Sequence, residues 1–135
     1  MDIKFHLALP CRDLGATRKF YRDVVGAKLG RHAENWLDVD LFGHQLTFTQ
    51  CGAFNFDFKS YRLDGEVLPS FHFGAIVPLD LWNEVHTKIC GLQPGVKPAT
   101  VYLKDRPGEH LAFNFEDPNG FVVEFKTFRE SRDIF

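Results

Sequence analysis

Phe71-His72-Phe73-Gly74-Ala75-Ile76-Val77-Pro78 repeats, 66 positions on, the signal of Phe5-His6-Leu7-Ala8-Leu9-Pro10: a short apolar strand opened by Phe-His and stopped by proline. After the first copy, Asp13 opens a helical pattern with Leu14, Phe20, Tyr21, Val24 and Val25 on its apolar side, and Gly26 supplies a left-handed cap. After the second copy a helix runs from about Asp80 through Leu81, Trp82, Val85 and Ile89 to Cys90, closed by Gly91. Strand-like runs follow each helix, at 28–32, 36–41 and 44–50 in the first pass and at 100–103, 110–116 and 121–128 in the second. The order is βαβββ, twice. The fold class read from this is α+β: two tandem βαβββ modules, about 4–50 and about 70–128, form one curved mixed sheet with the helices on its outer face. The connecting segment 51–69 carries Phe54, Phe56, Phe58 and Tyr61 and is too long for a plain turn; it reads as a lid, an interface or an ordered crossover. Residues 129–135 are a tail.

The chain of 135 residues is 44% hydrophobic with 15 Phe, enough to bury a core as a single domain. A net charge of −2 and scattered Lys and Arg argue against a nucleic-acid partner. No apolar run approaches the roughly 20 residues that span a bilayer, and Met1-Asp2-Ile3-Lys4 lacks the blocks of a signal peptide, so no membrane partner and a cytoplasmic location are expected. Cys11, Cys51 and Cys90 are odd in number and far apart, which suits reduced, partly buried side chains and no disulfide framework.

Strand parity sorts the polar residues. With a two-residue turn at Phe42-Gly43, Asp40 pairs with Gln45 and Asp38 with Thr47, leaving Leu37, Val39, Leu41, Leu46 and Phe48 on the apolar face. Asp117-Pro118-Asn119-Gly120 has the composition of a type I turn with a left-handed glycine, which sets Asn114 opposite Glu124. One face is then apolar and lies under the helices. The other collects His6, Asp38, Asp40, Gln45, Thr47, His72, His110, Asn114, Glu124 and Lys126. A merely solvated face is expected to be rich in Lys, Glu and Thr. Here the first strand of each module carries His and the last strand of the second carries Glu. Two imidazoles and one carboxylate form a facial metal triad with open positions, whereas a closed structural zinc site usually shows several cysteines.

The chain resembles the vicinal oxygen chelate superfamily of glyoxalase I, extradiol dioxygenases and the fosfomycin and bleomycin resistance proteins. The resemblance covers roughly residues 5–128 and rests on His6-Leu7-Ala8-Leu9, Asp13-Leu14, Lys19-Phe20-Tyr21, Val25-Gly26, Phe71-His72-Phe73-Gly74 and Asp117-Pro118-Asn119-Gly120 leading to Val123-Glu124-Phe125. It implies a metal held in the sheet's cavity by His6, His72 and Glu124. The metal implied is divalent: Fe(II) first, with Mn(II), Ni(II) or Zn(II) as alternatives. A fourth family position, a carboxylate in glyoxalase I, falls on Gln45 or on Thr47 according to how the turns are aligned, and a three-residue turn brings in His44 instead. Neither Gln45 nor Thr47 is a carboxylate, which moves the resemblance toward extradiol-type dioxygenases acting on catechol-like substrates. The tail Glu124-Phe125-Lys126-Thr127-Phe128 and the segment Phe42-Gly43-His44-Gln45 are similar to bacterial members labelled in that way.

In this reading His110 is the candidate acid or base, with Tyr102 a weaker one. Gln45, Thr47, His44, Asp40, Asn114, Phe54 and Phe56 are candidates for the fourth position or for substrate contact, and Lys59, Arg62 and Arg106 for a substrate carboxylate. The expected partners are a small-molecule substrate and a second copy in a homodimer, with the site inside one chain or shared between two. A glyoxalase-type lyase or isomerase and a metal-free antibiotic-binding protein are the competing readings.

Overall fold

The repeat read from the sequence is present as two sheets with one topology. The computed structural model describes residues 2–135. They divide into a first unit reaching to Phe56 and including Asp117–Gly120, and a second made of Asp57–Glu116 and Phe121–Phe135.

In the first unit β1 (His6–Cys11) leads to α1 (Leu14–Lys19), which continues as a π-helical turn over Phe20–Val25, and then to β2 (Lys28–His32), β3 (Trp36–Leu41) and β4 (His44–Gln50). Asp13 is the N-cap: its backbone is extended and its carboxylate accepts from the Ala16 amide at 2.7 Å. Gly26 ends the helical stretch with φ 79°, and the Ala27 amide closes onto the Tyr21 carbonyl at 2.9 Å. The sheet order is β1-β4-β3-β2, with β1 parallel to β4 and the other pairs antiparallel. The strand runs on through Pro10 to Cys11, beyond the proline stop expected from sequence, because an edge strand tolerates a residue without an amide donor. Phe42 and Gly43 form the expected two-residue turn, both at positive φ, and Asp40 pairs with Gln45 and Asp38 with Thr47. Leu9, Leu37, Val39, Leu46, Phe48 and Tyr21 build this unit's core. Phe5, which alternation along the first strand puts on the same face as Leu7 and Leu9, is 61% exposed, since it precedes the paired strand.

The second unit contains β7 (Phe73–Ile76), α2 (Leu79–Leu92), β8 (Thr100–Tyr102), β9 (His110–Glu116) and β10 (Val122–Phe128), in sheet order β7-β10-β9-β8 with β7 parallel to β10. Trp82 of α2 packs edge-on to Phe113 and donates its indole N–H to the Phe125 carbonyl at 3.0 Å, fixing the helix on the apolar face. Gly120 takes φ 84° and Asn114 pairs with Glu124, as the turn composition implied.

The two βαβββ modules are present as expected, each as a four-stranded mixed sheet, beside a separate hairpin. Other details differ from expectation. The connecting segment, read as a lid, an interface or an ordered crossover, carries strands that were not expected: β5 (Ser60–Leu63) and β6 (Glu66–Pro69) form that hairpin around Asp64-Gly65, both residues at positive φ. Gly91 does not cap α2; the helix runs past it and ends at Gln93 in extended backbone, and the left-handed glycine is Gly95. Of the cysteines Cys11 is buried, but Cys51 and Cys90 are exposed, at a strand exit and on the open side of α2.

Candidate metal centre

The polar face of the second sheet is organised around Glu124. On β10 it lies between Gly74 of β7 and Asn114 of β9. Glycine is required at 74, because a Cβ there would be driven into the Glu124 backbone carbonyl. The close approach brings His72, just ahead of β7, over the carboxylate: His72 Nε2 lies 2.9 Å from Glu124 Oε2. The other ring nitrogen, Nδ1, is 3.0 Å from the carbonyl of Pro69, the last residue of β6. A carbonyl only accepts, so Nδ1 carries a proton; in the metal-free pair Nε2 carries the second and donates it to Glu124, and Nε2 is the atom freed for a cation when that proton leaves. Tyr61 of β5 lies parallel to the His72 ring at 6.4 Å.

The electrostatics agree. The hydrogen bond to Glu124 raises His72 above the ordinary imidazole range, with burial opposing it and the Pro69 carbonyl assisting. Burial alone would push the Glu124 carboxyl up; the hydrogen bond from His72 and the charges of His72, Lys126 and His110 outweigh it, and the group titrates below its usual range. An ionised carboxylate beside the Nε2 of an imidazole whose Nδ1 is held by a backbone carbonyl is the support that metal-binding histidines have, so this pair fits a divalent cation.

His110 is 8% exposed. Its Nδ1 is 2.8 Å from the Gly108 carbonyl, and its ring stacks on Tyr102 at 5.2 Å and on Phe128 at 4.9 Å. Tyr102 is likewise buried, its phenol pushed up by burial and then by the charge of Glu124. A cavity of about 260 Å³ opens on this face, lined among others by Glu66, Leu68, Lys97, Tyr102, Asn114 and Val122. The β5–β6 hairpin therefore supplies both a cavity wall and the carbonyl that orients His72. Its Asp64 carboxylate accepts from the Leu103 amide and from Arg106, both at 2.9 Å, which commits Arg106, one of the expected substrate cations, to an ion pair. The Asp64-Gly65 dipeptide flanked by Tyr61-Arg62-Leu63 and Glu66-Val67-Leu68 was the signal that sequence reasoning passed over.

In the first unit His6 is exposed on β1, in register with Gln45 of β4. One rung on, Ala8, Thr47 and Asp38 line up across β1, β4 and β3, the counterparts of Gly74, Glu124 and Asn114. Thr47 thus occupies the rung of Glu124, and the carboxylate stands one strand over, on Asp38. Asp38 is 4% exposed and accepts from Thr47 Oγ1 at 2.7 Å, Arg31 Nε at 3.0 Å and Gln45 Nε2 at 3.1 Å. Asp40 is exposed and accepts from the Gly43 amide, closing the turn. His44 is exposed, with Nδ1 accepting from the Phe5 amide. Phe54 lies under the Arg12 guanidinium at 5.2 Å, and Phe56 follows it outside any strand. Among the described residues no three His, Cys, Asp or Glu side chains are gathered closely enough to hold a metal ion; the pair His72 and Glu124 is in contact, and His6 belongs to the other unit.

The pattern of the Glyoxalase/Bleomycin resistance protein/Dioxygenase superfamily matches residues 5–125. No curated protein matches the chain. Among solved structures, a glyoxalase/bleomycin resistance protein/dioxygenase from Alicyclobacillus acidocaldarius is similar at 25% identity and a TM-score of 0.80, over 99% of this chain and 97% of that one. A lactoylglutathione lyase from Agrobacterium tumefaciens shares the fold at 19% identity and a TM-score of 0.66, over 94% of each chain. A fosfomycin resistance protein from Listeria monocytogenes, solved with Mn(II) and sulfate, shares it at 14% identity and a TM-score of 0.63, over 94% of this chain and 93% of that one.

Proposed function

The chain belongs to the Glyoxalase/Bleomycin resistance protein/Dioxygenase superfamily, and from that premise we propose that it is a divalent-metal-dependent enzyme for a small substrate with two vicinal oxygens. The specific reading is an extradiol-type dioxygenase that opens a catechol-like ring, one O₂ entering the product per ring opened. The observation that carries it is the His72–Glu124 pair, with His72 Nδ1 bonded to the Pro69 carbonyl and Nε2 turned to the carboxylate. His72 and Glu124 supply two donors and His6 the third, from the same chain or from a second copy in a homodimer. Fe(II) is the first choice for this set, then Mn(II), Ni(II) or Zn(II). When bound, the metal supplies Lewis acidity to the substrate oxygens.

The chain's own residues do the rest. Glu124 brings negative charge already present at neutral pH, and the Pro69 carbonyl holds the His72 ring in orientation. His110, with Nδ1 pinned by Gly108 and its ring stacked on Tyr102 and Phe128, takes or returns a proton at Nε2. The cavity of about 260 Å³ on this face is lined by Tyr102 and Asn114 but not by His72, Glu124 or His110, and at that size, below the roughly 300 Å³ at which ligand pockets start, it would take no more than a single ring.

The test is elemental analysis of protein purified anaerobically without chelator, beside His72→Ala and Glu124→Ala, followed by oxygen uptake with catechols. About one Fe or Mn per chain, lost in both variants, with oxygen consumed, is the expected result. Nickel or zinc with no oxygen uptake replaces the dioxygenase with a glyoxalase-type lyase acting on thiohemiacetals. A protein that holds no metal and takes up none of the four ions is a ligand-binding module instead.

A further inference from the structure

Lys126 follows Glu124 by two residues on β10, so it leaves the same face one rung on, about 7 Å along the strand. Its own rung is apolar: Ile76 stands in register on β7 and Ala112 on β9. The ammonium lies over the Phe128 ring at 5.7 Å, and the His110 ring stacks on the same Phe128 at 4.9 Å, which keeps the charge beside the group assigned to proton transfer. Among the described residues no carboxylate lies within ion-pair distance of it. Its field nonetheless reaches the metal pair. His72 is raised chiefly by its hydrogen bond to Glu124, and Lys126 acts against that rise; at Glu124, where burial acts upward and His72 downward, Lys126 adds to the lowering. The charge is particular to this unit, since the matching rung of the first carries Thr49 between Pro10 and Trp36. Arg106, expected to meet a substrate carboxylate, is committed to Asp64, whereas Lys126 has no such partner and stands on the rung next to Glu124. A divalent cation balanced by Glu124 and by one ionised substrate oxygen leaves the Lys126 charge over, and a partly buried charge is costly to keep without a counter-ion.

Resting on the metal reading above, we propose that Lys126 binds a further acidic group of the substrate, so that the substrate class is a catechol bearing a ring carboxylate rather than a neutral catechol. The two vicinal oxygens then face the metal at the Glu124 rung, and the carboxylate, on the far side of the ring, faces the ammonium one rung on. Ile76 and Ala112 bring no polar group to compete for it. Lysine acts here as a point charge, so arginine retains the attraction and methionine keeps only the length of the stem.

The experiment measures, by anaerobic calorimetry at saturating Mn(II), the binding of 3,4-dihydroxybenzoate and of its methyl ester to wild type, Lys126→Met, Lys126→Arg and Lys97→Met, with the melting temperature of each protein. Wild type is expected to hold the acid roughly 10- to 100-fold more tightly than the ester, the range of a hydrogen bond between charged groups. Lys126→Met is expected to lose that preference by weakening the acid alone, and Lys126→Arg to keep most of it, with melting temperatures unchanged. Loss of the preference in Lys97→Met but not in Lys126→Met would put the carboxylate at the 260 Å³ cavity that Lys97 lines and overturn the proposal. Equal weakening of acid and ester in Lys126→Met would put the ammonium on the chelating oxygens, and a wild type without preference would leave Lys126 a solvated side chain. Either result overturns the proposal, while bound Mn(II) still upholds the metal reading. If wild type takes up no Mn(II), both fall together.

Discussion

The His72 ring shows how far a single hydrogen bond determines chemistry. With Nδ1 given to the Pro69 carbonyl, the only site at which His72 can hold a second proton or a metal is Nε2, so the two compete. His72 titrates above the ordinary imidazole range, chiefly through Glu124. Metal affinity is therefore expected to rise with pH until that raised value is passed and then level off; calorimetric titration with Mn(II) from pH 5.5 to 8.5 checks this, and a flat profile contradicts it. The metal-free pair runs with the opposite sign on the basic side. A raised His72 stabilises the fold fully below the unfolded imidazole value and ceases to do so as pH climbs through the folded one, while a lowered Glu124 stabilises above the unfolded carboxyl value and ceases to as pH falls through the folded one. The metal-free protein thus draws most from this pair at mildly acidic pH, and His72→Ala is expected to narrow the advantage there. Tyr21 gives a second case, within the first unit. Its buried hydroxyl donates to Asp117 Oδ2 at 2.8 Å, and burial followed by the Asp117 charge pushes the phenol well up. Tyr21→Phe removes a hydrogen bond to a charged acceptor, so denaturant unfolding is expected to show a loss of about 1.5–3 kcal/mol.

At the scale of elements, the legible part was whatever parity and turn chemistry decide. The Phe42-Gly43 turn fixed the pairing of Asp38 with Thr47, and Asp117-Pro118-Asn119-Gly120 fixed Asn114 against Glu124, because a one-residue slip would have turned Leu37, Val39 and Phe125 to the wrong face. The β5–β6 hairpin was not read, although Asp64-Gly65 announces it, because the aromatics of 54–61 drew the segment toward a lid; with it went the Pro69 carbonyl that orients His72. The burial of Asp38 was out of reach for a different reason. Parity places it on the polar face, but only the reach of Arg31, Gln45 and Thr47 decides that it is enclosed there. Gly74 carries a prediction at this scale. A methyl group at 74 meets the Glu124 backbone, not the end of a flexible side chain, so β7 must move off β10. Gly74→Ala is expected to cost more stability than an exposed strand glycine normally would and to abolish metal uptake, since His72 leaves with β7. Wild-type affinity in a folded Gly74→Ala protein would contradict that coupling.

For the molecule as a whole, the repeat preserved its topology and let its chemistry diverge. Both units use the order βαβββ, yet the rung that carries Gly74, Glu124 and Asn114 in one carries Ala8, Thr47 and Asp38 in the other. Topology survives such exchange because it depends on the apolar faces, built on Phe48 and Tyr21 in one unit and on Phe113, Phe125 and Trp82 in the other, while the polar faces are free to specialise. The consequence is thermodynamic. His72 stands just ahead of β7 and Glu124 on β10, far apart in sequence, so a metal that holds both binds the folded chain and not the unfolded one, and stability must then follow metal concentration. At a hundredfold excess over the dissociation constant the gain is about 2.7 kcal/mol, which for a chain of this size raises the melting temperature by roughly 10 °C. Scanning calorimetry with Mn(II), which unfolded cysteines and histidines bind weakly, is expected to show that rise in wild type, its reversal by chelator, and little of it in His72→Ala or Glu124→Ala. An equal rise in both variants would place the ion elsewhere on the chain, and the absence of any rise in wild type with Mn(II), Fe(II), Ni(II) or Zn(II) would leave the polar face as a metal-free binding surface.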